Sequence, residues 1–281
     1  MNNHRFDVGK KFIIKTIIKN DRLKAYRKYI ELALEKGYTV CSMIEFYSSP
    51  KEGKHFVLRH DVDYSGPSTR KMFDVEKSLG VHSTYYFRKS TIDVLLMNEM
   101  IESGFEVGLH YETLSDYAIE NNLSEVSNKD IEICRDRLKK EITDFNKLLK
   151  KPITSVVAHG ANKNREIGKS NNVILDGQSY EEFGIVFEGY DESLYKEHID
   201  THIMDGNIRH NYGFSYKSNP IEAIEENSKN IVFLAHPNHW YYSFAQRCWN
   251  IIALLLGRCS YESNREFLRI LDMEAKGNEI L

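Results

Sequence analysis

The chain predicts a single α/β domain whose parallel strands curl into a barrel, and three observations carry that prediction. Short β-branched and aromatic runs alternate with amphipathic helical segments, the order that builds parallel β-α units. About seven such units follow one another without a repeat, a low-complexity stretch or a linker, which favours one barrel over two domains. The residues capable of chemistry fall at the C-terminal ends of strands, the face where a parallel barrel gathers its site.

Taken in order, residues 21–36 read as a helix. Leu23, Tyr26, Ile30, Ala33 and Leu34 recur at helical spacing, and Gly37 suits the C-terminal stop. Residues 38–47 read as β-rich, followed by a loop at Ser48-Ser49-Pro50 and Gly53. A short strand, 55–58, delivers Arg59-His60-Asp61-Val62-Asp63. Gly66-Pro67 opens a helix to about Leu79, with Pro67 near its first position. Strand 83–88, helix 92–103 and strand 105–110 follow, the last ending in His110. Residues 130–150 form a long helix with an apolar stripe of Cys134, Leu138, Ile142, Phe145 and Leu149. Strand 155–158 ends in His159-Gly160, and the polar stretch 160–179 reads as an insertion or mobile loop. Strands near 183–187, 201–204 and 231–235 complete the set. The last ends in His236-Pro237-Asn238-His239-Trp240, and a helical extension is expected from about 244 to 281.

At 281 residues the chain can bury a large core without disulfides. A net charge of -3 leaves no basic footprint for nucleic acid. The four cysteines, Cys41, Cys134, Cys248 and Cys259, form no C-x-x-C pair and read as ordinary free thiols. The N-terminus lacks a continuous apolar core of the signal-peptide kind, and the longest apolar run, Ile251 to Leu256, is far short of a membrane span. The expectation is a cytoplasmic protein, at most peripheral to a membrane. The 249–256 stripe reads as core, although an exposed apolar helix face there would suit such contact or a dimer.

Four strands run into Asp61/Asp63, His110, His159 and His236. Carboxylate and imidazole together suit a divalent metal with a position left open for water. Such an ion lowers the pKa of its water and polarises a substrate carbonyl. A nearby carboxylate can take the water's proton, and a histidine can protonate the leaving group. Asp61 and Asp63, two apart, share one face of a regular strand, so one can bind metal while the other acts as base.

These runs carry a resemblance. Arg59-His60-Asp61-Val62-Asp63 is similar to the first motif of the polysaccharide deacetylases, the NodB-homology or family 4 carbohydrate esterase group, in its H-D-V-D branch. Gly104-Phe-Glu-Val-Gly-Leu-His110 resembles the second motif. Ile231-Val-Phe-Leu-Ala-His236-Pro237 resembles the last. His159-Gly160 stands where the third belongs, and Met204-Asp205-Gly206 where the fourth does. The motifs span roughly residues 55 to 240 of one domain covering 1–281. The resemblance implies a distorted (β/α)7 barrel, Asp61 as general base, Asp63 and His110 as metal ligands, His236 as general acid and Asp205 as an orienting acid. Two departures stand out. Leu114 occupies the position of the family's second histidine, so His159 is the preferred third ligand, ahead of Glu112 and His60. The arginine of the third motif is missing beside His159, and Arg209 is a candidate for its place.

The function so implied is removal of an N-acetyl or other acyl group from an amino sugar or glycan precursor, with zinc as the first choice and cobalt, nickel, manganese or iron as others. Two alternatives remain open at this point. One is a D-x-D glycosyltransferase, which leaves the histidines without a role; the other is a non-catalytic carbohydrate-binding relative. Oligomeric state is not legible. His239 and Trp240 read as pocket rim, and His198, His202 and His210 as loop or surface residues.

Overall fold

The computed structural model describes residues 22–49, 52–206, 214–215 and 219–241. The expected C-terminal helical extension, with Cys248, Cys259 and the 249–256 stripe, lies outside them, as do Arg209 and His210. Among the described residues, nine strands form one sheet: β1 (Thr39–Cys41), β2 (His55–Val62), β3 (Thr84–Phe87), β4 (Glu106–Tyr111), β5 (Ser155–Ala158), β6 (Phe187–Glu188), β7 (Thr201–Asp205), β8 (Phe214–Ser215) and β9 (Asn230–Ala235). Their order is β6-β5-β4-β3-β2-β9-β7-β8, with β1 also paired to β2. Every pairing is parallel except β7 with β8.

Without β1 and β8, seven parallel strands remain, and their spatial order is their chain order read around a ring. The ring closes through β9 and β2 and is unpaired between β6 and β7 among the described residues. The fold is therefore the distorted (β/α)7 barrel, open at one seam. Its strands read as apolar runs because both faces are covered; all eight residues of β2 are buried.

The helix Pro67–Leu79 shows how sequence sets these units. Pro67 takes the first turn, where its missing N–H costs nothing, and Gly80 stops the helix at φ 66°, its N–H bonded to the carbonyls of Glu76 and Lys77. Met72, Phe73 and Glu76 face inward against the sheet.

Several expectations needed correction. Residues 38–47 are not one strand: after β1 the chain forms the helix Met43–Ser48, opened by a capping box between Ser42 and Glu45. That S-x-x-E signature was present in the sequence and outweighed the β-rich composition. Strand β2 continues to Val62, so Asp61 lies in the ladder. The stretch 160–179 is not a structureless insertion. It holds the helix Asn162–Ile167 and a 3-10 turn, Asn171–Ile174, and Asn164 and Asn171 are buried. Residues 183–187 contribute strand only from Phe187 onward, following a 3-10 turn at Tyr180–Phe183. The helices Thr113–Glu120, Glu192–His198 and Pro220–Glu225 were not anticipated.

Inside the barrel, Val57, Phe187 and Val232 pack with Cys41, Met43, Phe46 and Leu194 in a small apolar cluster apart from the larger helix–sheet core. On β2, Val57, Arg59 and Asp61 share the inward face by strand alternation. The interior thus rises from an apolar floor through Arg59 to the acidic mouth. Beside Arg59, Tyr86 crosses over Gly108, where an added Cβ would lie 2.5 Å from the ring and 2.8 Å from the Ser155 carbonyl. Only glycine leaves room for that ring. Cys41 and Cys134 are buried.

Candidate metal and catalytic site

At the mouth the strand ends converge. Asp63 follows β2, where its N–H donates to the Asp61 carbonyl at 3.2 Å and turns the chain. Its Oδ1 lies 3.5 Å from His110 Nε2 and 3.6 Å from His159 Nε2. The three ligand atoms all lie within 4.8 Å of one another. Asp63 Oδ1 is buried and makes no hydrogen bond. A buried carboxylate oxygen left unpaired is costly. Donors about 2.0–2.1 Å from a tetrahedral ion stand about 3.3 Å apart, so these separations fit an ion between them. His110 presents Nε2 because its Nδ1 is 3.1 Å from the Val157 carbonyl and donates to it. The residues present therefore fit a divalent cation held by Asp63, His110 and His159. Burial opposes the charge on Asp63, but His110, His236 and His159 hold its pKa well below the usual carboxylate range.

Asp61 stands beside this group, its Oδ2 3.6 Å from His110 Nε2. Its carboxylate accepts two hydrogen bonds from Arg59, Nε to Oδ1 at 3.0 Å and Nη2 to Oδ2 at 2.9 Å. Arg59 is fully buried, donates a third bond to the Gly189 carbonyl at 2.9 Å, and lies 4.1 Å from the Tyr190 ring centre. Burial works against ionisation of Asp61, yet Arg59 and then His110 lower its pKa. Arg59 is thus the arginine the structure sets on Asp61, and Arg209 lies outside the described residues. The position of Arg59 two residues before Asp61, on the same strand face, was the signal available. The two carboxylates of the D-x-D run also have different partners: each Asp61 oxygen accepts one bond from Arg59, whereas Asp63 Oδ1 makes none. A D-x-D clamp on a nucleotide-bound ion would need both.

His236 follows β9, and its Nε2 is 3.8 Å from Asp63 Oδ2. Its Nδ1 donates to Asp205 Oδ1 at 2.7 Å, and its backbone N–H donates to Oδ2 at 3.0 Å. Trp240 Nε1 also donates to Oδ2, at 2.6 Å, and His239 Nδ1 lies 3.1 Å from Oδ1. Burial alone would discharge His236, but Asp205 raises its pKa to about 9. Asp205 is held well below the ordinary carboxylate value by His239 and His236 against its own burial. The Trp240 side chain is buried and bonded to Asp205, so it supports the site from within and is not a rim platform.

His159 follows β5. Its Nδ1 is 2.9 Å from Glu112 Oε1, a close contact bent away from the ring's N–H direction. Arg88 clamps the same carboxylate, Nε to Oε2 at 2.8 Å and Nη2 to Oε1 at 2.7 Å. Burial opposes the charge, and His159 and Arg88 nonetheless lower the Glu112 pKa to about 2. Glu112 therefore lies behind His159, not in the ligand set. Leu114 is buried in the helix–sheet core. Asn171 Oδ1 accepts from the Leu114 and Ser115 N–H groups, and its Nδ2 donates to the His159 carbonyl at 2.6 Å. His60 points to the opposite face of β2, where its Nε2 is 2.6 Å from Glu76 Oε1 and its Nδ1 3.1 Å from the Ala235 carbonyl. Ser83 and Tyr85 bond the other Glu76 oxygen, and Tyr26 bonds the first. His60 is a buried structural residue. His202, read as surface, lies in β7 with its ring 5.2 Å from that of Tyr195; burial lowers its pKa to about 4. His198 ends a helix and is partly exposed.

No family model matches this sequence, and no curated protein resembles it at the level of sequence. Among solved structures the chain is similar to a family 4 carbohydrate esterase from Bacillus anthracis, at 15% identity over 85% of each chain and a TM-score of 0.40. It is similar to the peptidoglycan deacetylase PdaC from Bacillus subtilis, at 13% identity over 83% of this chain and 98% of that one, with a TM-score of 0.40. A CE4 family pseudoenzyme from Bacillus anthracis is also similar, at 13% identity over 75% and 63% and a TM-score of 0.39. Among the described residues no helix is long and apolar enough to cross a membrane.

Proposed function

We propose that this chain is a metal-dependent hydrolase that removes an acyl group from an N-acylated amino sugar. The observation that carries the reading is the open Asp63 oxygen facing His110 and His159 at ligand spacing, with Asp61 and His236 both adjacent. The amino-sugar substrate is supported by the motif resemblance at residues 59–63, 104–110 and 231–237. A donor set of two imidazoles and one carboxylate suits zinc first.

A divalent ion at this site would acidify a water and polarise the acyl carbonyl. Asp61 is ionised at neutral pH and held still by Arg59, so it stands ready to accept a proton at Oδ2. Asp205 raises the pKa of His236 and fixes its Nδ1. The His236 Nε2–H faces the site and can pass a proton to a departing amine. Base and acid thus both stand beside the Asp63 group, each with its charge set chiefly by one buried partner.

The test is Asp61→Asn in the full chain. Elemental analysis should find metal retained, while acetate release from N-acetyl sugars falls by about 10²–10⁴, the range of a lost general base. Unchanged turnover would remove Asp61 from the mechanism. A wild-type chain that takes up no zinc or cobalt would overturn the hydrolase reading itself.

A further inference from the structure

We infer that Glu112, clamped by Arg88, is a positioning residue that fixes His159 as the replacement third ligand. The inference rests on the metal reading above and deepens it. His159 Nδ1 has no hydrogen-bond partner, and Glu112 Oε1, at 2.9 Å, is the group facing it. Glu112 cannot swing away, because Arg88 holds both of its oxygens and Arg88 Nη1 also reaches the Asp63 carbonyl at 3.3 Å. A carboxylate beside Nδ1 favours the proton on that nitrogen, which leaves Nε2 bare, and Nε2 is the atom turned toward Asp63. The guanidinium also meets the carboxylate's charge, so the histidine is supported without an unpaired anion beside it.

Asn171 ties the arrangement to the vacated position. One amide side chain holds the Leu114 and Ser115 N–H groups and the His159 carbonyl together. The helix that carries Leu114 and the turn that carries His159 are thereby fixed to one another. The ligand has moved from one strand's following helix to the next strand's end, and a carboxylate–arginine pair supports it there.

Zinc affinity of the full chain, stripped with chelator, can be measured by competition with a chromophoric chelator. Glu112→Gln should weaken it by 10–100-fold, about the effect of losing such a partner. Nitrogen-15 shifts of His159 in the metal-free protein should show Nδ1–H in the wild type and a mixture of tautomers in the variant. A merely structural role would leave that signature unchanged. The bent contact should straighten on zinc binding and shift the Nδ1 proton downfield, because apo hydrogen bonds at such sites tighten when loaded. If Glu112→Gln does not fold, Arg88→Gln should give a smaller weakening in the same direction. Zinc affinity within twofold of wild type in a folded variant would overturn the inference. A wild type that binds no zinc would overturn the metal reading, and the His159 tautomer would still decide the role of Glu112.

Discussion

His159 and His236 stand on two sides of Asp63 and are built from the same parts. Each turns Nε2 toward the Asp63 carboxylate, at 3.6 and 3.8 Å, and each sets Nδ1 against a buried acid, at 2.9 and 2.7 Å. The difference lies in what else that acid holds. Glu112 is clamped at both oxygens by the Arg88 guanidinium. Asp205 takes neutral N–H groups from Trp240 and the His236 backbone, with His239 close by. The charge of Glu112 is therefore met by arginine, while that of Asp205 is left to raise the pKa of His236. A ligand must offer a bare nitrogen, whereas an acid must carry a proton. On the proposed reading, the third partner of the carboxylate divides the two roles.

The most severe way to break this comparison is to remove each ring. His159→Ala should lose metal by more than the 10–100-fold typical of a lost outer partner. His236→Ala should keep its metal and lose turnover by about 10²–10⁴. Loss of metal in both, seen by elemental analysis, would merge the two sides into one.

A smaller effect sharpens the His236 side. Its raised pKa stabilises the fold fully below the ordinary histidine value of about 6.5, and that contribution is lost as pH rises through about 9. In Asp205→Asn, metal-free, nitrogen-15 titration should bring the His236 pKa down toward about 6.5. The stability gap between wild type and variant, followed by thermal melting, should narrow above pH 9. A gap that widened there would show that Asp205 acts on something other than the imidazolium.

The smallest effect concerns the His159 side. Leu114→His restores the histidine of the motif pattern, yet residue 114 is buried in the helix–sheet core. An imidazole there should cost about 1–3 kcal/mol as a buried polar group, with no gain in zinc affinity. Tighter zinc binding would show that the vacated position still reaches the ion.

Much of the site was legible because strand ends are. An apolar run followed by Asp or His marks the C-terminal end of a parallel strand, and such ends meet on one face whatever their separation in sequence. That reasoning brought Asp61, Asp63, His110, His159 and His236 to one mouth, and the structure places them there. Side-chain direction was harder. Arg59, His60 and Asp61 are consecutive, yet strand alternation sends Arg59 and Asp61 inward and His60 outward to Glu76. The contact of Arg59 with Asp61 was missed because the anticipated strand stopped at residue 58, whereas the ladder runs to Val62. Trp240 was placed on the rim because nothing local reveals that its N–H reaches a carboxylate 35 residues away.

By itself, then, the sequence determined the barrel and the set of groups at its mouth, because hydrophobic periodicity and strand endings are local properties of the chain. Tertiary structure alone decided which atom each group presents and with what charge. Arg59 on Asp61, Arg88 on Glu112 and Trp240 on Asp205 are contacts that the curled sheet creates between buried groups, where removal from water makes each nearest partner count most.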